Sequence, residues 1–177
     1  MLIFAANSKN WAKIAKAKGT LKRQKAKGKR QKQRMPEIKV KIKGRLVPTY
    51  QSPMAAGCDL SADIRKPVII KPGTVSIVPT GIRLEIPRGY EAQVRPRSGL
   101  AFNHGIGILN APGTIDADYR GEVKIILFNF GTKPVTIKRG ERIAQLVFAP
   151  VVQAQFIKSR RLNRTKRGKG GFGHSGR

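Results

Sequence analysis

The stretch PGTVSIVPTGIRLEIPRG, residues 72–89, decides the fold. It is rich in Val and Ile, it opens on Pro-Gly and it closes on Arg-Gly, and both dipeptides are turn signals. β-branched side chains lose rotamer freedom in a helix and pack well on a pleated surface, so such a run between turns reads as strand. The pattern continues on both sides. Upstream, EIKVKIKGRLV (37–47) alternates polar and apolar residues with period two, and PVIIKPG follows. Downstream come YEAQVRP, GIGILNAP, EVKIILFNFG, KPVTIKRG and RIAQLVFAPVV, all short and cut apart by Gly and Pro at nearly even spacing. Short strands at even spacing predict an all-β sandwich or barrel. No part of this body predicts a helix longer than two turns, and it holds neither a tandem repeat nor a Walker-type phosphate loop.

A chain of 177 residues suits one domain with tails. Its net charge of +28 is concentrated at the two ends. Residues 1–34 hold twelve Lys or Arg and no acid, and residues 158–177 hold eight and no acid. The other seventeen bases and all nine acids lie between. Three parts follow: a basic extension (1–34), a β body (35–157), and a basic linker with a glycine-rich tail (158–177). GTLKRQKAKGKRQKQR (19–34) is low in complexity and repels itself, so the extension is expected to be disordered. The composition changes abruptly at Met35-Pro36. One reading makes Met35 the true start; another makes 1–34 an arm for non-specific nucleic-acid contact; a third makes it a targeting segment. Cys58 is the single cysteine, which excludes an intrachain disulfide and a Cys-rich zinc site and suits a reducing, cytoplasmic compartment. The apolar runs are too short to cross a bilayer, and MLIFAA is too short for a signal-peptide core, so no membrane association is expected.

Five stretches depart from plain strand and turn. In AAGCDLSAD (55–63), Asp59 reads as a turn cap or a site carboxylate. In RPRSGLA (95–101), Arg97, Ser98 and Gly99 form a donor cluster suited to a phosphate oxygen, or else a helix start capped by Ser98. GILNAPGTIDADYRGE (107–122) has the shape of a hairpin turning at NAPG. On a regular strand Asp116 and Asp118 would share one face, with Tyr119 on the other, and two close carboxylates imply a task, a metal or a cation partner. In GERIAQLVFAPV (140–151), Gln145 is the polar residue in an apolar run, either bonded in the core or part of a site. The tail RGKGGFGHSGR (167–177) has too little apolar surface to fold alone, yet it carries Phe172, His174 and Ser175.

Taken in order, AGCDL, RPRSGLA, NAPGTIDADYRGE, RIAQLVF and RGKGGFGHSG resemble the five motifs of the homotrimeric deoxyuridine triphosphatase (dUTPase) family. The resemblance covers residues 36–177, and Lys169 falls at a variable place within it. The related deoxycytidine triphosphate deaminases lack DADYRGE and the tail, so they stand second; a nucleic-acid-binding module using the basic arm is the other alternative. The resemblance implies a jelly-roll-like β-barrel, a homotrimer with active sites shared between subunits, and a flexible tail acting as a lid. The implied reaction is dUTP plus water to dUMP plus pyrophosphate, assisted by Mg²⁺ held mainly by the triphosphate and waters, with no direct protein ligand. Its implied roles are Asp116 as the water-activating base and Asp59 as a support. Arg97, Ser98, Gly99, Gln145, Arg167, His174 and Ser175 would meet phosphates. Asn110, Thr114, Ile115, Tyr119 and Phe172 would meet uracil and deoxyribose.

Overall fold

The computed structural model describes residues 36–171. Its strands are β1 (Lys41–Lys43), β2 (Thr49–Tyr50), β3 (Cys58–Ser61), β4 (Val68–Ile70), β5 (Val75–Pro79), β6 (Arg83–Glu85), β7 (Tyr90–Arg95), β8 (Ile106–Ile108), β9 (Gly113–Ile115), β10 (Lys124–Asn129), β11 (Val135–Ile137) and β12 (Arg142–Pro150). One helix, α1 (Ser98–His104), stands between β7 and β8. Among the described residues the fold is mostly β with this one short helix, and the expected barrel does not close. The strands are distributed over four open antiparallel sheets, ordered β1-β6, β5-β10-β8, β11-β4 and β2-β3-β12-β7-β9.

Residues 72–89 supply β5 and β6, but these two do not pair with each other. β5 joins β10 and β6 joins β1. The link between them is fixed instead to the segment before β10. The buried Thr80 hydroxyl donates to the carbonyl of Val123, and the Gly81 N–H donates to Glu122 Oε1 at 2.9 Å. Upstream, the alternating run 37–47 yields only the three residues of β1, whose side chains are all exposed.

Period-two alternation sets the core. In β10, Ile125, Leu127 and Asn129 point inward; in β7, Ala92 and Val94 do. With Leu60, Ile70, Val78, Ile82, Ile137 and Leu146, the apolar members form one buried cluster. Each fully buried Ile or Leu contributes roughly 1.5–3 kcal/mol relative to exposure. Asn129 is the polar exception and is fully satisfied. Its Nδ2 donates to the carbonyls of Ile70 and Lys133, both at 2.9 Å, and its Oδ1 accepts from the Gly131 N–H at 2.9 Å. That amide ties the loop after β10 to β4.

The longest strand, β12, carries Arg142 and Gln145. A bulge between Arg142 and Ala144 sets two of its residues against one of β3. Ile143 and Ala144 are therefore both buried. The same extra residue leaves Arg142, opposite Ser61, on the same sheet face as Gln145, opposite Asp59.

Candidate active site

Asp59 lies in β3 with only 7% of its surface exposed. Its Oδ1 accepts from Arg97 Nε and its Oδ2 from Arg142 Nη1, each at 3.0 Å. Arg97 Nη1 also donates to the carbonyl oxygen of Arg142 at 2.9 Å. A buried carboxylate needs such partners, because desolvation of an unpaired charge costs far more than a hydrogen bond returns. Asp59 is thus no simple turn cap. It is the centre of a clasp joining β3, the start of α1 and the start of β12. Arg142 was not singled out in the sequence; the bulge hides it from period-two counting. Asp59→Ala would leave two guanidiniums facing each other. We expect a loss of about 2–4 kcal/mol, discounted because both arginines reach water. Denaturant unfolding reads it, and a loss under about 0.5 kcal/mol would remove the clasp from the stability of the body.

The clasp presents the beginning of α1. Arg97 is the N-cap, with extended backbone, and its side chain makes no cap bond. The cap is therefore Arg97 rather than Ser98, which is the first helical residue. The first intrahelical bond runs from the Ala101 N–H to the Arg97 carbonyl. The N–H groups before it have no partner within the helix, as at any helix start. Ser98 and Gly99 are exposed, and the space a Cβ would take at Gly99 is open. Gln145 lies half-buried on the outer face of the five-stranded sheet, between the buried Ala144 and Leu146. It is not a core amide. Its Oε1 would stand 2.8 Å from a Cβ at Gly57, so a bare glycine just before β3 leaves room for that side chain.

Asp116, Tyr119 and Asn110 lie elsewhere. β8 pairs with β10 and β9 pairs with β7, so NAPG crosses between two sheets and is not the turn of a paired hairpin. Pro112 has no N–H to give to a ladder. Asn110 sits in the turn after β8, its amide close over Gly113. Thr114 is exposed, whereas the Ile115 side chain is in the core, so Ile115 offers an incoming molecule only backbone. β9 is the edge of its sheet.

Asp116 and Asp118 do not share a strand face. β9 ends at Ile115, and residues 116–119 form a turn closed by the Tyr119 N–H donating to the Asp116 carbonyl at 3.2 Å. Asp is favoured at the first position of such a turn. Arg120 Nη1 braces it by donating to the carbonyls of Ala117 at 2.7 Å and Tyr119 at 3.0 Å. Both carboxylates are exposed and meet no cation among the described residues. The Tyr119 hydroxyl donates to the Glu122 carbonyl at 3.1 Å, and the ring covers Gly121 so closely that a Cβ there would sit 2.5 Å from Cζ.

Register separates the two groups of residues. Gly113 pairs with Val94 and Ile115 with Ala92, so Asp116 falls level with Glu91 at the start of β7. Arg97 and Ser98 follow the other end, past Arg95. The four steps from Glu91 to Arg95 alone span about 13 Å at roughly 3.3 Å per residue. A cleft of about 630 Å³ lies beside α1, lined by Arg97, Leu100, His104, Val135, Glu141 and Arg142; Asp116, Tyr119 and Asn110 are not among its walls.

After β12 the chain runs from residue 151 to 171 without strand or helix. Val152 is 96%, Phe156 95% and Ile157 82% exposed. Arg167 is exposed and donates from Nε to the Gly170 carbonyl at 2.8 Å. Phe172, His174, Ser175 and the extension 1–34 lie outside the described residues. Cys58 is buried, which is the main cause pushing its thiol up; a protonated thiol is a poor nucleophile. Among the described residues no helix is long and apolar enough to cross a membrane.

Comparison with known proteins bears on this geometry. The family model described as dUTPase matches residues 45–176. A deoxyuridine 5'-triphosphate nucleotidohydrolase of Chlamydia pneumoniae is 57% identical over 131 residues, covering 73% of this chain and 90% of that protein. The protein of the same name from Caldanaerobacter subterraneus subsp. tengcongensis is 55% identical over 130 residues, 73% of this chain and 88% of the relative. Among solved structures, a point mutant of the Staphylococcus bacteriophage 80alpha dUTPase, with dUpNHpp, superposes with a TM-score of 0.69 at 24% identity. That match covers 78% of this chain and 98% of the phage protein and bears on the fold alone.

Proposed function

The chain belongs to the dUTPase family, and we propose that it hydrolyses dUTP to dUMP and pyrophosphate. This removes dUTP before uracil enters DNA and supplies dUMP for thymidylate synthesis. The observation that carries the reading is the family match over 45–176, which spans the motifs holding Asp59, Ser98, Asp116 and Gln145.

In the proposed mechanism Asp116 orients a water, takes its proton as it attacks the α-phosphorus in line, and so acts as general base. Its exposure in a turn braced by Arg120 supports that role, since the carboxylate is committed to no other group among the described residues. Charge builds on the leaving pyrophosphate and calls for preorganised donors. Ser98, Gly99, Gln145 and the clasped guanidinium of Arg97 are the proposed set. Asp59 positions Arg97 and touches no substrate. On the other side, the free edge of β9 at Thr114 and Ile115, with Asn110, would read the uracil edge. The Tyr119 ring, held against Gly121, would exclude a 2′-hydroxyl.

Both oxygens of Asp59 are already taken by arginines. The exposed Asp116 and Asp118 remain free to meet a hydrated cation. That donor set fits Mg²⁺ arriving on the triphosphate and keeping its waters, with no direct protein ligand. Bound there, the ion would add positive charge to the phosphate chain.

The separation of about 13 Å or more along β7 supports a site completed by a second copy, because a base must reach hydrogen-bond distance of the proton it takes. The exposed apolar side chains of Val152, Phe156 and Ile157 support an assembly in which the segment after β12 finds cover. We read the assembly as the homotrimer of jelly-roll-type barrels that the family resemblance implies. Residues 158–177 would then serve as linker and lid, with Arg167, His174 and Ser175 meeting phosphates and Phe172 stacking on uracil.

A nucleotide panel tests the function. With Mg²⁺, pyrophosphate should be released from dUTP and far less from UTP, dCTP or dTTP. The chain cut before Arg167 should lose turnover and keep its assembly. Equal hydrolysis of all four nucleotides would sink the proposed substrate, and a fully active truncated chain would sink the lid.

A further inference from the structure

Residues 158–169 carry seven Lys or Arg in twelve positions, and the chain has no acid beyond Glu141. All twelve residues are exposed, and none is in a strand or helix. In the body, Lys41, Arg45, Arg97, Lys124, Arg139 and Arg142 each sit beside a carboxylate. None of the seven cations of this strap does so among the described residues. Its internal bonds are local: the Gly168 N–H donates to Thr165 Oγ1 at 3.1 Å, and Arg167 Nε donates to the Gly170 carbonyl.

We propose that residues 158–169 form a docking strap for duplex nucleic acid, gripping phosphates without reading bases. An unneutralised run of like charge repels itself and gains most from a polyanion, whose condensed counterions are released on contact. The cations are never more than three residues apart, which is about 10 Å or less along an extended chain. A continuous line of charge at that pitch suits a regularly charged polymer better than scattered carboxylates on a folded protein. An anionic lipid surface would hold the strap by charge alone, because Leu162 is its one large apolar side chain and gives it no apolar face to bury. The strap also has no aromatic residue, so it offers no stacking platform that would favour single strands. The extension 1–34, with twelve more cations and no acid, points to the same class of partner by composition alone. The strap's role does not depend on that extension, and it shares only Arg167 with the groups proposed to meet the nucleotide.

The test uses the full chain and a variant in which Lys158, Arg160, Arg161, Arg164 and Lys166 all become Gln. Arg167 is left alone because it is proposed to meet substrate. Binding of a short fluorescent DNA duplex is followed by anisotropy over a salt series. Each phosphate contact contributes a slope of about 0.9 in log affinity against log salt, so the variant's slope should fall by as much as about 4. Its affinity at low salt should fall more than about tenfold. Hydrolysis of dUTP, assayed on both proteins, reads the hydrolase proposal separately from binding of the duplex. An unchanged slope and affinity would overturn the strap, leaving the extension as the source of any binding. So would polyglutamate competing as well as unlabelled duplex, or a single strand binding more tightly than the duplex. If neither protein hydrolyses dUTP, the hydrolase reading fails and the DNA result still stands or falls by itself.

Discussion

Asp116→Asn is expected to reduce turnover of dUTP by about 10²–10⁴-fold, the usual contribution of a positioned general base. The side chain keeps its size and one oxygen acceptor, and it loses the ability to take a proton. The turn that carries it should survive, because it is closed by backbone groups and by Arg120 rather than by the carboxylate. The Tyr119 N–H donates to the main-chain carbonyl of residue 116, and Arg120 binds the carbonyls of Ala117 and Tyr119. Nucleotide affinity should therefore change little, and the loss should fall on kcat rather than KM. Single-turnover hydrolysis beside a binding titration separates the two. A variant with full turnover would show that another group activates the water. A variant that no longer binds nucleotide would show that Asp116 holds substrate instead.

The strands were legible in the sequence because short runs rich in Val and Ile are cut apart by Gly and Pro, and in some of them burial then alternates. In β10 the pattern KIILFN alternates exposed or half-buried with buried side chains along its whole length, and the run around residues 75–86 does nearly the same. Pairing was less legible. Nothing local tells β5 to leave β6 for β10, since that choice is made by Thr80 and Gly81 binding the distant Val123 and Glu122. The same limit explains the third motif. NAPG between two β-like runs suggests a hairpin, and only the register against β7 and β10 shows that its arms belong to different sheets.

At the site, residue types were readable and partnerships were not. The donors of the second motif and the carboxylates of the third stand out by composition. The clasp at Asp59 does not, because it depends on a one-residue bulge. Without that bulge, Arg142 and Gln145, three positions apart, would fall on opposite faces of β12. With it, Arg142 reaches Asp59 Oδ2 on the face that Gln145 also occupies. A solitary buried Asp is itself the signal that cations stand nearby, and the sequence leaves their identity open.

The separation of Asp116 from Ser98 along β7 leads to a second large effect. If each site takes its base from one copy and its phosphate donors from another, two inactive variants should restore each other. Ser98→Ala removes a hydroxyl aimed at phosphate, and loss of one such donor costs about 10²–10³-fold. Asp116→Asn removes the base. Each alone should be nearly inert. When the two chains are unfolded together and refolded as a mixture, some sites receive Ser98 from the Asp116→Asn chain and Asp116 from the Ser98→Ala chain. Random assembly in a closed symmetric ring makes about a quarter of the sites whole, so activity should return to about a quarter of the parent's. The two variants mixed without refolding provide the control, because intact assemblies exchange no halves. Sites built within one chain would give no recovery, since every copy then carries one lesion in its own site. That outcome would mean that the start of β7 and the start of α1 of one chain serve one nucleotide across the length of the strand.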